Sequence, residues 1–410
     1  MEQPVSQRRR WLPRLALVLF GSLFGVLLAD RVVGILFQSS TRHLLRMPPN
    51  VSFRHHSAEF DYLFHSNSRG LRGSEIPLAN PDGRFRIAVL GDSFVAGYGV
   101  PDDETMTVYL QRSLQPTPRK SGDEGVQVIN LGRSGTSTVR ELDLYELLGR
   151  PYHPDVVILV YFLGNDLCEV VQEQDRSELR AWRPNGFVRR TVHALCPNLY
   201  LELAMRKQDR EAKQRFGARS EQELLAALDI VARQNGADPV LVRERYLRVP
   251  HEVRRAIERG ELSDWQIFPA CYDPARFAVS LSPGDSFFNP AWSRTERHLN
   301  LLRDAVEHDH GKFVLVAVPG AFQVDEAAYH FAESVGYEVD PAWLTGSSRI
   351  QHALQDWAEK SHVPYLDMTD DLRQTAEPLY YVQDGHFNPT GQRKAALLMA
   401  EFLRSEKLAP

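Results

Sequence analysis

At 410 residues the chain exceeds one minimal domain, so it is either one large elaborated domain or two modules. A hydrophobic fraction of 43% is enough for a sizeable core, and 25% charged residues is the usual soluble value, which excludes disorder, collagen and a polytopic membrane protein for the bulk of the chain. A net charge of −5 argues against a nucleic-acid partner, which would normally meet a strongly basic face.

The N-terminus carries the first signal. Arg8, Arg9, Arg10 and Arg14 precede an uncharged apolar run from Leu15 to Ala29, followed by Asp30, Arg31 and a second apolar patch, Val32 to Phe37. A basic flank before an apolar stretch is the pattern of both signal peptides and uncleaved anchors. A spanning helix needs about 20 residues. Trp11, Leu12 and the second patch supply that length, with Asp30 and Arg31 snorkelling or pairing near the far interface. Leu27-Leu28-Ala29 makes a poor cleavage site because Leu27 is large, so residues 1–40 read as an anchor, with cleavage as the rival. The arginine cluster disfavours a buried soluble helix. Positive-inside bias then predicts a single-pass protein of the inner membrane whose remaining chain is periplasmic or extracellular.

Residues 41–83 form a polar lead-in with Pro48-Pro49, four histidines (His43, His55, His56, His65) and one expected strand around Glu59–Phe64. Beyond Arg86 short β-branched runs (Ile87–Leu90, Val126–Leu131, Asp155–Phe162) alternate with helical patterns over Asp103–Leu114 and Thr138–Leu148. In the latter, Val139, Leu142, Tyr145 and Leu148 share a face, and Thr138-x-x-Glu141 reads as a capping box. Continuous apolar strands between helices predict a parallel sheet covered on both faces.

From Cys168 to Asn289 the alternation stops. This stretch, rich in Arg, Glu and Gln, reads as a folded helical insertion (about 168–290) with helices near Ser220–Gln234 and Pro250–Arg259. The α/β pattern then resumes: a helix at Trp292–Glu307, a strand at Phe313–Pro319, a helix at Ile350–Lys360, a strand at Val363–Asp367 and a closing helix at Thr390–Leu403. The domain is therefore 84–410, interrupted by the insertion. Three cysteines, Cys168, Cys196 and Cys271, contain no CxxC pair; an oxidising compartment would permit one bridge, with the pairing open.

Four features fall at successive strand ends, where open α/β sheets bind ligands. The first strand runs into Gly91-Asp92-Ser93. The second runs into Asn130-Leu131-Gly132-Arg133-Ser134-Gly135-Thr136, a glycine-rich turn whose N–H groups can face an oxyanion. The third ends in Gly164-Asn165-Asp166. Near the C-terminus, Asp384-Gly385-His386 offers a base and a carboxylate to hold its tautomer. His308 and His310, like the lead-in histidines, lie in polar stretches and form no metal-ligand pattern. Gly91, Gly97 and Gly99 do not fit G-x-G-x-x-G, and there is no P-loop lysine.

These blocks resemble those of the SGNH or GDSL hydrolases. Gly91-Asp92-Ser93 looks like the first block, Asn130–Thr136 the second, Gly164-Asn165-Asp166 the third, and Asp384 with His386 the fifth. Asn67-Ser68-Arg69-Gly70-Leu71-Arg72-Gly73 resembles a lead-in found in membrane-anchored bacterial members. The resemblance, which covers roughly half the chain, implies a flavodoxin-like three-layer α/β/α sandwich and ester chemistry with no cofactor or metal. It implies Ser93 as nucleophile, His386 as base and Asp384 as its partner. The oxyanion hole would come from the N–H groups of Ser93 and Gly135 and from the Asn165 amide, with Asp92 bracing the turn. One departure stands out: one residue, rather than the usual two, separates Asp384 from His386, which leaves Asp367, Asp370, Asp371 or a main-chain carbonyl as other orienting groups.

The expected function is a serine esterase acting on acyl esters, O-acetyl above all, of a cell-envelope or extracellular glycan. The alternatives are an O-acyltransferase using the same residues on a glycan acceptor, and a non-catalytic glycan-binding or scaffold module. The expected partners are a carbohydrate-linked ester and, through the N-terminal helix, a membrane.

Overall fold

The structure is a computed structural model and describes residues 8–36, 49–115, 125–172, 187–196, 199 and 218–410. The chain separates into two units, Met1–Leu45 with Arg176–Gln214, and Arg46–Asp175 with Arg215–Pro410.

The first unit holds the helix Arg8–Leu36, within which Pro13–Val33 is long and apolar enough, by length and composition, to cross a membrane. Its side chains are exposed from Pro13 to Ala29, whereas Asp30 is buried and its Oδ1 accepts the N–H of Leu199 at 2.9 Å. The carboxylate thus has a backbone partner. The helix Phe187–Leu195 belongs to the same unit, so the unit draws on part of the expected insertion.

The second unit contains two sheets. Strands β1 (Ser52–His56) and β2 (Asp61–His65) form an antiparallel hairpin. Strands β3 (Phe85–Gly91), β4 (Val126–Asn130), β5 (Val156–Phe162), β6 (Lys312–Val318) and β7 (Tyr365–Asp367) form a parallel sheet in the order β4-β3-β5-β6-β7. Second, first, third, fourth, fifth is the flavodoxin-like order. Every residue of β5 is buried, as expected of a central parallel strand covered on both faces. On one face Ile87, Val89, Ile158, Val160, Val314 and Val316 pack with Met106 and Leu110 of the Met106–Leu114 helix and with Ala396, Met399 and Leu403 of the Pro389–Ser405 helix. The helices Thr138–Leu144, Asp285–His308 and Arg349–Ser361 pack on β3, β6 and β7 respectively, and Phe313 meets Trp357 edge-on. The result is a three-layer α/β/α arrangement.

The structure corrects several local expectations. The strand expected around Glu59–Phe64 is β2, and it pairs with a strand the sequence hides. Phe60, Tyr62 and Phe64 are buried along one side of the hairpin, while the polar β1, with Arg54, His55 and His56, shows no apolar alternation. Thr138-x-x-Glu141 is not a capping box: Ser137 precedes the helix, and the side chain of Glu141 is fully buried. That helix continues through a π turn, Tyr145–Gly149. The capping box lies at Ser220 with Glu223, opening Glu221–Gln234. Cys168, Cys196 and Cys271 are all buried and free.

Within the described part of the insertion, Leu224, Leu228, Val242, Tyr246, Ile257, Ile267 and Phe268 form a separate core that also takes in Val335. Residues 173–186, 197–198 and 200–217 of the insertion lie outside the described residues.

Arg86, an unremarkable charge in the sequence, is buried at the start of the sheet. Its guanidinium donates to the carbonyls of Pro77, Leu78, Ala79 and Tyr152 at 2.7–3.1 Å, and to Gln127 Oε1 at 2.9 Å. It satisfies backbone carbonyls in the lead-in that have no ladder partner.

Packing this dense makes the sheet centre sensitive to volume. Ile158→Ala, at a fully buried position of β5, is expected to cost about 2–5 kcal/mol. The check is a lowered thermal unfolding midpoint in detergent solution.

Candidate active site

The carboxyl ends of β3, β4 and β5 converge, and each carries one part of the site. β3 stops at Gly91, which sits in register with Val160 of β5. Asp92 then caps the four-residue helix Ser93–Ala96, its Oδ1 accepting the N–H of Phe94 at 2.9 Å. Burial pushes the Asp92 carboxyl up to about 6. Its role in the turn is thus direct, and Ser93 stands half-buried on the first helical residue.

The second loop is fastened to this helix. Asn130 Nδ2 donates to the Val95 carbonyl at 2.9 Å, its Oδ1 accepts the N–H of Gly132 at 2.9 Å, and Arg133 N–H donates to the Gly91 carbonyl at 2.9 Å. Gly132 has to be glycine: a Cβ there would stand 2.2 Å from the backbone nitrogen of Ala96. Gly135, three residues on, is exposed with φ +71°.

Asn165 follows β5 and precedes the helix Asp166–Gln172; its carbonyl accepts the N–H of Glu169 at 2.8 Å. Its side chain is not spent on capping that helix. Among the described residues, Asn165 Oδ1 is buried with no hydrogen-bond partner, and Nδ2 donates to Glu169 Oε1 at 2.9 Å. Glu169 Oε1 also pairs with Arg276 at 3.1 Å, from the insertion helix Arg276–Leu281. An amide nitrogen carries two hydrogens, so one remains after the bond to Glu169.

The C-terminal segment completes the arrangement. His386 Nε2 lies 2.7 Å from Ser93 Oγ, and His386 Nδ1 lies 2.6 Å from Asp384 Oδ1. The short spacing between acid and base has a physical answer in Gly385, whose φ of +82° folds the chain into a tight turn. Gly385 N–H donates to the Tyr381 carbonyl at 2.8 Å, and Tyr381 N–H to that of His386 at 2.9 Å. The other carboxylates considered from sequence are engaged elsewhere: Asp367 accepts from Thr369 and Gln351, and Asp370 pairs with Arg373. Asp371 is exposed.

The imidazole is almost entirely enclosed, with 11% of the His386 side chain and 6% of the Asp384 side chain exposed. The rings of Phe94 and Tyr98 lie 5.1 and 4.8 Å from its centre. Burial disfavours the imidazolium, but the charge and hydrogen bond of Asp384, helped by the charge of Asp92, outweigh it and leave the pKa raised. A hydroxyl bonded to an imidazole that a buried carboxylate orients can lose its proton on attacking an acyl carbonyl.

The structure thus brings Ser93, Asp384 and His386 together, with Gly135 and Asn165 on the neighbouring loops. Sequence reasoning did not single out Glu169, Arg276 or Glu59 at the site. It met Arg72 only as part of the Asn67–Gly73 run. Glu169 stands one helical turn after Asn165, a spacing that offered a weak signal.

No sequence-family model and no curated protein sequence matches the chain. Comparison of folds finds a GDSL-like lipase from Bacteroides thetaiotaomicron, at 8% identity and a TM-score of 0.36, covering 81% of this chain and 93% of that one. It also finds a lipase/acylhydrolase from Enterococcus faecalis, at 10% identity and a TM-score of 0.36, covering 78% of this chain and 96% of that one. An acetylxylan esterase from Geobacillus stearothermophilus aligns at 10% identity and a TM-score of 0.34, covering 78% of this chain and 94% of that one.

If His386 acts as a base it must be neutral in the free enzyme, so activity should rise as pH climbs through its pKa. Because that pKa is raised from 6.5, the acid limb of a kcat/KM profile is expected above 6.5. A pH–rate profile on a small acyl ester measures it.

Proposed function

We propose that the chain is a serine ester hydrolase of the SGNH type that works through an acyl-enzyme at Ser93. The observation that carries this reading is the hydrogen-bonded series Ser93 Oγ, His386 imidazole and Asp384 carboxylate at the carboxyl edge of the sheet. In the first step Ser93 Oγ attacks the ester carbonyl while His386 Nε2 takes its proton. The N–H groups of Ser93 and Gly135 and the remaining Asn165 amide hydrogen stabilise the tetrahedral oxyanion. Imidazolium His386 then protonates the departing alkoxide, and a water activated by the same residue releases the acid. Asp384 holds Nδ1–H throughout and keeps Nε2 free to accept.

The substrate we assign is an acyl ester, O-acetyl in particular, on a cell-envelope or extracellular glycan. Support comes from the apolar N-terminal helix and its arginine flank: under the positive-inside rule the rest of the chain would lie outside an inner membrane, where such polymers lie.

Ser93→Ala is expected to abolish hydrolysis of acetyl esters while leaving the unfolding midpoint unchanged. Asn165→Ala should lower kcat by roughly 10²–10³ with a smaller effect on KM. The decisive assay is a panel of acyl esters, with and without glycan acceptors, run on the wild type and Ser93→Ala. Acetate release that needs Ser93 supports the esterase. Acetyl transfer to a sugar in place of release would make the protein an O-acyltransferase. Failure of a fluorophosphonate probe to label Ser93 would leave a non-catalytic module.

A further inference from the structure

The lead-in before the sheet reaches both turns that carry the proposed catalytic groups, and it does so with charged side chains aimed at backbone. Glu59 occupies the turn between β1 and β2. Its Oε1 accepts the N–H of Gln383 at 3.0 Å, and its Oε2 accepts the N–H of Asp384 at 2.8 Å. These donors belong to the turn that aims Asp384 at His386. Beside Glu59, Phe60 packs against Tyr98 and Tyr381, with ring centres 5.5 and 5.3 Å apart.

Arg72 serves the other turn. Its side chain is 2% exposed, and its guanidinium donates to the carbonyls of Ala96, Gly97 and Val100 and, at 2.8 Å, to Asp102 Oδ1. Ala96 ends the four-residue helix that begins at Ser93, and Gly97 is its cap. Carbonyls at a helix end have no partner within the helix, and here one planar cation supplies it. The rings of Tyr62 and Phe64 lie 5.3 and 5.0 Å from the guanidinium and enclose it. Asp102 in turn meets His65 Nδ1 at 2.8 Å, so the ion pair is tied back to β2.

Resting on the esterase reading above, we propose that Glu59 and Arg72 are positioning residues. Glu59 fixes the Asp384–His386 turn, Arg72 fixes the Ser93 turn, and the segment joining them sets the approach of hydroxyl to imidazole. Neither side chain touches the reacting atoms. Each holds the backbone within a few residues of them, and displacements of about 1 Å in such groups cost on the order of 10²-fold in rate.

The test uses the full-length protein in detergent, assayed with p-nitrophenyl acetate. Glu59→Gln replaces an acceptor pair with an amide that cannot accept two N–H groups in the same way. Its kcat is expected to fall about 10-fold or more with KM within about twofold of wild type. Its acid limb should also move to lower pH, because a loosened Asp384 no longer sustains the raised His386 pKa. Arg72→Lys, with one compact ammonium in place of the fork, should lower kcat and the rate of fluorophosphonate labelling together. Folded variants that keep wild-type kcat and the wild-type acid limb would overturn the proposal. A loss that tracks only the titrated fraction of active enzyme, with an unmoved limb, would also overturn it. Should Arg72→Lys fail to fold, Glu59→Gln decides alone. A wild type indistinguishable from Ser93→Ala would instead remove the esterase reading and the positioning roles with it.

Discussion

The buried imidazole of His386 is the point on which the site turns. Enclosed by Phe94, Tyr98 and the C-terminal turn, it would strongly resist protonation without Asp384 at 2.6 Å. With that carboxylate in place, burial and charge oppose each other: the first disfavours the imidazolium, and the second more than restores it. The rest of the fold serves to hold one ring at one angle.

That requirement explains where the structure spends its polar side chains. Asp92, Asn130, Glu59 and Arg72 all bond to backbone around the strand-end loops, and none needs to meet a substrate to do so. Loops at the carboxyl edge of a parallel sheet have no ladder to fix them. Here side chains drawn from distant segments take over that task; Gly132 lets two backbones come close, and Gly385 permits the left-handed turn between Asp384 and His386.

The sequence made the sheet readable because its inner strands are almost entirely buried and therefore continuously apolar, as Val156–Phe162 shows. Ser93, Asn165 and His386 could be picked out because each follows a strand or precedes a helix in a compact glycine-containing block. Glu59 could not: its partner Asp384 lies 325 residues away, and nothing local distinguishes it from any surface glutamate. β1 was hidden by its own polarity. The misread cap at Thr138 has a similar cause, since Ser137 offers an equally suitable residue one step earlier, and only the extended backbone of Ser137 tells them apart.

The chain of contacts from Asn165 through Glu169 to Arg276 changes how the insertion should be regarded. Exchanging this subdomain for a short connector, as one would when trimming an accessory, would take Arg276 away from a carboxylate that grips a proposed oxyanion donor. Grafting the insertion of another protein onto this scaffold would meet the same obstacle unless the graft brought a cation to the same spot. Diversification of this region is thereby constrained at the Glu169–Arg276 contact, and also where its core takes in Val335 and where Ser282 meets the indole of Trp343.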